Sequence, residues 1–422
     1  MNNFFKAMFI HRFFFLFFLV IAACSKQAKE EDWTILIYMA ADNSLNENAL
    51  LDIAEMQAAV FSEQVNVIVQ IDHRNQDAIN DYTGGERWQI FPNSKRLISR
   101  MGEIDSGSPQ ELADFIDWGF SKFKSRKKAL VIWSHGNGWY DLYNKFCPDK
   151  TSLTSINIPQ GDLHNALKWA NQEIDILIFD ACNMQTIEVI AEVADYAKYV
   201  IGSQDVIKVS GFPYQEIMEN WETFEATEEL AKGIVEKFIH SYMPFTGSQN
   251  PEGAIFTFSC SAVNTTKLRE FEQAVKQFTL VHNVQPEVLQ YTREQCVELN
   301  DPKIDVDVYQ FFLKLNDNQP TPELDSILST LDELFLINQA FYPHESMMSL
   351  VDKSSELGFA AIWFPDVINE YNGLHITYEE LTFSKESNWL HFLEFYFSKE
   401  KDLSPLSTFP ILDLLCLFFI NS

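Results

Sequence analysis

Ala129-Leu-Val-Ile-Trp-Ser-His135-Gly-Asn-Gly-Trp139 and Ile174-Asp-Ile-Leu-Ile-Phe-Asp180-Ala-Cys182-Asn-Met184 are the two stretches that decide the fold. Each is a short apolar run that stops at a reactive side chain. Runs of this length, bounded by polar and glycine residues, read as strands buried on both faces. As parallel neighbours they would bring His135 and Cys182 to one edge of the sheet, where open α/β folds place their sites. A thiol beside an imidazole is the least that a cysteine nucleophile requires.

Outward from these two runs, strand and helix patterns alternate. Trp33 to Ala40 is a buried strand ending at the polar loop Asp42-Asn-Ser-Leu-Asn46, and Asn46 to Phe61 has helical spacing. Val65 to Ile71 is a second strand, and Asp81 to Arg100 reads as a β-hairpin insertion with Gly84-Gly85 as its turn. Helices follow over Pro109 to Phe123, about Gly161 to Asn171, and about Met184 to Ala197, then a short strand at Tyr199 to Gly202. The expectation is an α/β fold, caspase-like or doubly wound, with a mostly parallel central sheet flanked by helices. The second half is more helical: Glu228 to Tyr242, Thr266 to Phe278, Pro322 to Asn338 and Trp389 to Phe397 read as helices. Gly253 to Ser259 and Gly358 to Pro365 read as strands among them. The expected division is residues 33–220 as the part carrying the dyad, 221–400 as a more helical part of the same unit, and 401–422 as a tail.

Of 422 residues, 46% are hydrophobic, with 36 Phe and 9 Trp, enough for a large packed core. Acidic residues outnumber basic ones 60 to 31, for a net charge of −29, which argues against a basic nucleic-acid footprint. The six cysteines are Cys24, Cys147, Cys182, Cys260, Cys296 and Cys416. None has zinc-ligand spacing, and no metal site is expected from the pattern. Asp301, Asp305 and Asp307 lack EF-hand spacing and read as a solvated acidic loop.

At the N-terminus, Lys6 and Arg12 precede an apolar stretch, Phe13 to Val20, then Ile21-Ala-Ala-Cys24. The stretch is too short to span a bilayer and reads as the core of a signal peptide over residues 1–23. Small residues before a cysteine resemble a bacterial lipobox, with Ile21 where Leu is commonest. On that reading Cys24 carries the lipid, residues 24–32 form a polar tether, and the protein sits outside the cytoplasm on the inner or the outer membrane. An ordinary cleaved signal ending near Ala23 is the alternative.

In chemical terms, Cys182 would attack as thiolate while His135 handles its proton. Gly136 leaves room for a substrate backbone, and its N–H with that of Cys182 would form an oxyanion hole. A helix starting near Met184 would favour the thiolate further.

Trp133-Ser-His-Gly-Asn-Gly-Trp139, Asp180-Ala-Cys-Asn-Met184 and the opening Thr34-Ile-Leu-Ile-Tyr-Met-Ala-Ala-Asp-Asn-Ser-Leu45 resemble the clostripain-type (C11) cysteine peptidases of the caspase-like clan. Weaker echoes are Gly211-Phe-Pro-Tyr214, Val306-Asp-Val-Tyr-Gln-Phe311 and Gly358 to Pro365, so the resemblance extends over about 32–397. It implies a His135–Cys182 dyad cutting after Arg or Lys. It also implies Asp180 as an acid lining the S1 pocket and Asp205 as a second, although the family usually has a longer acidic stretch there. Relatives are often matured by self-cleavage between the dyad residues, which makes Lys145 and Lys150 the candidate sites, and some relatives depend on calcium. The expected partners are protein or peptide substrates and, through the lipid, a membrane. The rival reading is a non-catalytic, lipid-anchored surface module that binds basic peptides or glycans on the same fold.

Overall fold

The computed structural model describes residues 31–74, 84–140, 145–281, 284–299 and 304–403. Cys24, most of the expected tether, Asp301, Cys416 and nearly all of the expected tail lie outside the described residues. Its strands, in chain order, are β1 (Glu31–Ala41), β2 (Val65–His73), β3 (Gly84–Phe91), β4 (Ser94–Gly102), β5 (Ser125–Trp133), β6 (Phe146–Asp149), β7 (Thr154–Ile156) and β8 (Ile174–Asp180). They continue with β9 (Ala197–Gly202), β10 (Phe258–Asn264), β11 (Glu298–Leu299), β12 (Asp305–Asp307), β13 (Phe335–Pro343), β14 (Leu350–Asp352) and β15 (Ala361–Trp363).

Ten of these strands form one sheet in the order β14-β13-β10-β9-β8-β5-β1-β2-β3-β4. Its centre, from β2 to β9, is parallel throughout. Antiparallel strands extend it on both sides, the β3–β4 hairpin on β2 and β10 with β13 and β14 on β9. Strands from both halves of the chain therefore share a single sheet. In β1 the residues alternate between faces: Leu36, Tyr38 and Ala40 pack in one cluster, Ile35, Ile37 and Met39 in the other. Both faces are covered, as a parallel sheet requires. Helices Pro109–Lys122 and Asp162–Ala170 cover the first face with Phe115 and Leu167; helices Asn46–Ala58 and Thr227–Ser241 cover the second with Ile53 and Phe238. Each fully buried Leu, Ile or Phe contributes about 1.5–3 kcal/mol to holding these layers together.

Helix boundaries follow local chemistry. Ser108 accepts the Gln110 N–H at the start of Pro109–Lys122, with Pro109 at the first helical position. Gly161 (φ 80°) and Asn171 (φ 49°) frame the helix Asp162–Ala170.

Four expectations shift. The hairpin turn is at Pro92-Asn93, where Asn93 takes φ 58°, and Gly84-Gly85 instead begin β3. The helix from Pro322 stops at Leu334, because Phe335 to Pro343 pairs with β10. The strand expected at Gly253 begins at Phe258. The helix expected from Met184 is shorter, Ile187–Val193, capped by Thr186, whose hydroxyl accepts the Val189 N–H.

A second, three-stranded sheet, β11-β12-β15, backs the Cys182 loop. Ala361 N–H donates to the Gln185 carbonyl at 2.9 Å, and Trp363 N–H to Glu188 Oε1 at 2.9 Å. Asp305 and Asp307 sit here, buried, and do not form a solvated loop. Asp305 accepts the Tyr140 hydroxyl, while Asp307 caps the helix Val308–Asn318 and accepts the Phe359 N–H at 3.1 Å. No helix among the described residues is long and apolar enough to cross a membrane.

Candidate active site

Strand register sets the geometry of the site. Trp133 at the end of β5 lies opposite Asp180 at the end of β8, and the Ser134 N–H donates to the Asp180 carbonyl at 3.2 Å. His135 and Cys182 each lie two residues past that pair, on the same edge. β1 lies on the other side of β5 and its chain leads away to β2, so the edge is next to the point where strand order reverses. Such points open a crevice in parallel sheets. Here the crevice is a cavity of about 290 Å³ lined by His135, Gly136, Asp180, Cys182, Lys208 and Gly211 among others.

The loop carrying the thiol is bent by sequence. Asn183, directly after Cys182, has φ 58°, a conformation that asparagine tolerates better than most residues, and its N–H donates to the Asp205 carbonyl at 3.2 Å. Gly136 is required by the same loop: a Cβ there would stand 2.6 Å from the Cys182 carbonyl oxygen and 3.0 Å from Ala181 Cβ. The absent side chain thus makes room for the cysteine loop itself. Trp139, four residues past His135, packs edge-on against Trp363 and Tyr378, anchoring the histidine loop in the second half of the chain.

His135 Nε2 lies 2.9 Å from the Ser44 hydroxyl, and Cys182 Sγ donates to the Ile207 carbonyl at 3.5 Å. Both side chains line the cavity without a hydrogen bond between them. Burial pushes the His135 imidazole below its ordinary value, helped by the Lys150 ammonium. Burial pushes the Cys182 thiol up, and the Asp180 charge acts in the same direction. The resting pair is therefore neutral thiol and neutral imidazole, which differs from the expected helix-stabilised thiolate. The physical reason is distance: the helix begins five residues beyond the sulfur. Neither the Gly136 nor the Cys182 N–H is engaged by another described residue, so both remain available to an oxyanion.

Asp180 lies at the base of the cavity, only 4% exposed. Its Oδ2 accepts the Tyr214 hydroxyl at 2.9 Å and the Phe212 N–H at 3.3 Å. Gly211 lies over it, since a Cβ there would be 2.9 Å from Oδ2. Burial pushes its carboxyl up to about 6, and burial together with the Asp180 charge pushes neighbouring Asp52 much higher. Asp52 also accepts the Trp133 indole N–H at 2.7 Å.

Asp205 is placed differently from expectation. It does not line the cavity, and its carboxylate accepts the Ser259 hydroxyl at 2.6 Å from β10, the antiparallel neighbour of β9. Lys145 and Lys150 are both exposed; Lys150 N–H is tied to the Asp42 carbonyl at 2.9 Å. Cys147 is buried with its N–H on the His135 carbonyl at 3.3 Å, and Cys260 and Cys296 are buried too. Ser44, Ile207 and Tyr214 were not singled out from the sequence. Ser44 alone had a readable signal, since it lies in the polar loop ending the strand that neighbours β5.

Solved structures share this architecture. A secreted C11 cysteine protease from Bacteroides thetaiotaomicron, in complex with an irreversible peptide inhibitor, superposes with TM-score 0.65 at 19% identity, over 85% of this chain and 99% of that one. An inactive zymogen C11 protease from Parabacteroides distasonis gives TM-score 0.64 at 21% identity over the same shares. These likenesses bear out the caspase-like α/β fold. Among curated proteins, clostripain of Hathewaya histolytica is 25% identical over 271 residues, 56% of this chain and 51% of that protein, so the match spans about half the length of that relative. The sequence profile of the Clostripain family matches residues 37–396, a span that contains both strand ends, the cavity between them and the sheets that hold it; the chain belongs to the clostripain family.

Proposed function

We propose that the protein is a cysteine endopeptidase that cuts after Arg or Lys, with Cys182 as nucleophile and His135 as proton carrier. The observation that carries this reading is the convergence of His135, Cys182 and Asp180 on one cavity. In the tautomer that donates Nε2–H to the Ser44 hydroxyl 2.9 Å away, Nδ1 of His135 is the nitrogen left to take the thiol proton as sulfur attacks the scissile carbonyl. The proton then passes to the leaving amine, and water hydrolyses the thioester. The Gly136 and Cys182 N–H groups would stabilise the oxyanion, a contribution of about 3–4 kcal/mol per donor in comparable sites. A neutral resting pair suits this order of events, because charge appears only when substrate has excluded water. The Asp180 carboxylate supports a basic P1 residue through a charge-assisted contact at the base of the cavity.

The decisive measurement is a scan of P1 residues in a fluorogenic peptide library with the wild type and Cys182→Ala. The expected outcome is turnover confined to Arg and Lys, lost by about 10⁴-fold in the variant. Undiminished turnover by Cys182→Ala would sink the dyad.

The exposed Lys145 is the better maturation site of the two lysines, since the Lys150 backbone is fixed to Asp42. N-terminal sequencing of the matured protein should then begin at Phe146, and no such chain should form from Cys182→Ala. The Ile21-Ala-Ala-Cys24 segment supports an extracytoplasmic protein held to a membrane by lipid on Cys24. Metabolic labelling with a fatty acid should mark the wild type and miss Cys24→Ala.

A further inference from the structure

Opposite charges line the cavity at different depths. Apart from His135 and the Cys182 thiol, the ionisable side chains among its described lining residues are Asp180 and Lys208. Asp180 is buried at the base, whereas Lys208 is exposed on the facing loop wall. That wall touches the thiol, because the Ile207 carbonyl accepts from Cys182 Sγ. Against the burial that raises the thiol, the Lys208 charge pulls it down, so the ammonium is felt at the sulfur. Acidic residues outnumber basic ones 60 to 31 in this chain, yet no carboxylate among the described residues comes within ion-pair distance of Lys208.

An aromatic shelf keeps the two charges apart. The Lys208 ammonium lies 4.5 Å from the centre of the Phe256 ring, in a cation–π contact. Phe256 meets Tyr242 and Phe258 edge-on, and the Tyr242 hydroxyl donates to the Gly211 carbonyl at 2.7 Å. The ring that takes the ammonium is thus fixed to the tyrosine that secures the end of the same loop. Across the cavity, Asp180 Oδ2 is occupied by the Tyr214 hydroxyl and the Phe212 N–H. A ring face gives a cation no full countercharge, and an ammonium has three N–H donors, so Lys208 keeps the capacity to meet an anion.

We propose that Lys208 is a specificity-determining residue that selects an acidic side chain next to the basic P1 residue of the substrate. The proposal rests on the reading of the cavity as a peptidase site with Asp180 beneath P1. A P1 side chain that reaches the base leaves its neighbours in the peptide at the rim, where Lys208 stands. The sequence complementary to such a cavity is itself a pair of opposite charges, an Arg or Lys flanked by Asp or Glu. Because the contact is made at an exposed rim, its size is that of a surface ion pair, a few-fold in rate and not the loss that accompanies a buried charge.

Internally quenched peptides with Arg at P1, and either Glu or Gln at P2 or at P1′, test this on the full chain. In the wild type, kcat/KM should be about three- to fivefold higher with Glu than with Gln on at least one flank, chiefly through KM. Lys208→Gln should bring that ratio to about one, Lys208→Arg should keep it, and Lys208→Glu should invert it. Each ratio compares two peptides on one variant, so a partial folding defect or an altered thiol cancels from it. A ratio near one on both flanks of the wild type overturns the role of Lys208, as does a preference that survives in Lys208→Gln. If the wild type cuts no Arg or Lys peptide at all, the peptidase reading falls too; equal cutting whatever the flank removes Lys208 alone.

Discussion

The two sides of the cavity are built by different means. Trp133, His135, Asp180 and Cys182 belong to the ends of β5 and β8, whose pairing is fixed residue by residue in the middle of the sheet. The opposite wall, 206–211, is a loop held by isolated contacts: the Cys182 thiol on the Ile207 carbonyl, the Gly211 N–H on the Lys208 carbonyl, and the Tyr242 hydroxyl on the Gly211 carbonyl at 2.7 Å. Val206 and Val209 stand exposed along it. His135, Asp180 and Cys182 are thus set by the most cooperative part of the fold, and the facing rim by one of the least. Chemistry should tolerate little change on the strand side, while the loop side is free to vary.

Substitutions can break or sharpen that contrast. Asp180→Asn should lower kcat/KM for Arg and Lys substrates by about 100-fold, because one partner of a buried charge pair is removed. Substrates with a neutral P1 should be almost unaffected. The same carboxylate predicts a pH effect in the wild type. With its pKa raised to about 6, Asp180 is neutral below that pH and charged above it, so KM for a basic P1 should fall as pH rises through 6. A flat KM between pH 5 and 7.5 would remove Asp180 from recognition.

Gly136→Ala should cost about 10–100-fold in kcat, with smaller change in KM, since its Cβ would displace the Cys182 carbonyl by several tenths of an ångström. Comparable loss from Val209→Ala on the loop wall would erase the distinction between the two sides. The smallest effect belongs to Asp205→Asn, which should change kcat/KM by less than about threefold, because its carboxylate is spent on Ser259 and not on the cavity. A loss there as large as at Asp180 would mean that the loop wall also carries substrate charge.

The parts legible in the sequence were those written in local patterns. Apolar runs flanked by polar residues gave β1, β5 and β8, and two such ends were enough to bring His135 and Cys182 to one edge. Misreadings arose where distant partners decide. Asp205 follows β9 just as Asp180 ends β8, but nothing local discloses that β10 returns antiparallel with Ser259 beside it. Asp305 and Asp307 resemble a hydrated loop until Tyr140 and Phe359 arrive from elsewhere in the chain. The helical spacing running past Leu334 was overridden because pairing with β10 draws Phe335 onward into a strand.

β4 has a consequence of another kind. Among the described residues it is the outermost strand on its side, and an unpaired strand edge is a ready template for any extended chain. Lys95, Arg96 and Arg100 stand exposed along it, and the β3–β4 pairing is broken by two register shifts. Arg100 is held to Glu86 at 2.9 Å, and the Lys95 ammonium lies 4.3 Å over the Trp88 ring. In a chain of net charge −29, basic side chains on this edge keep it solvated and irregular. Extended polypeptide is thereby discouraged from annealing to the scaffold and left free to reach the cavity.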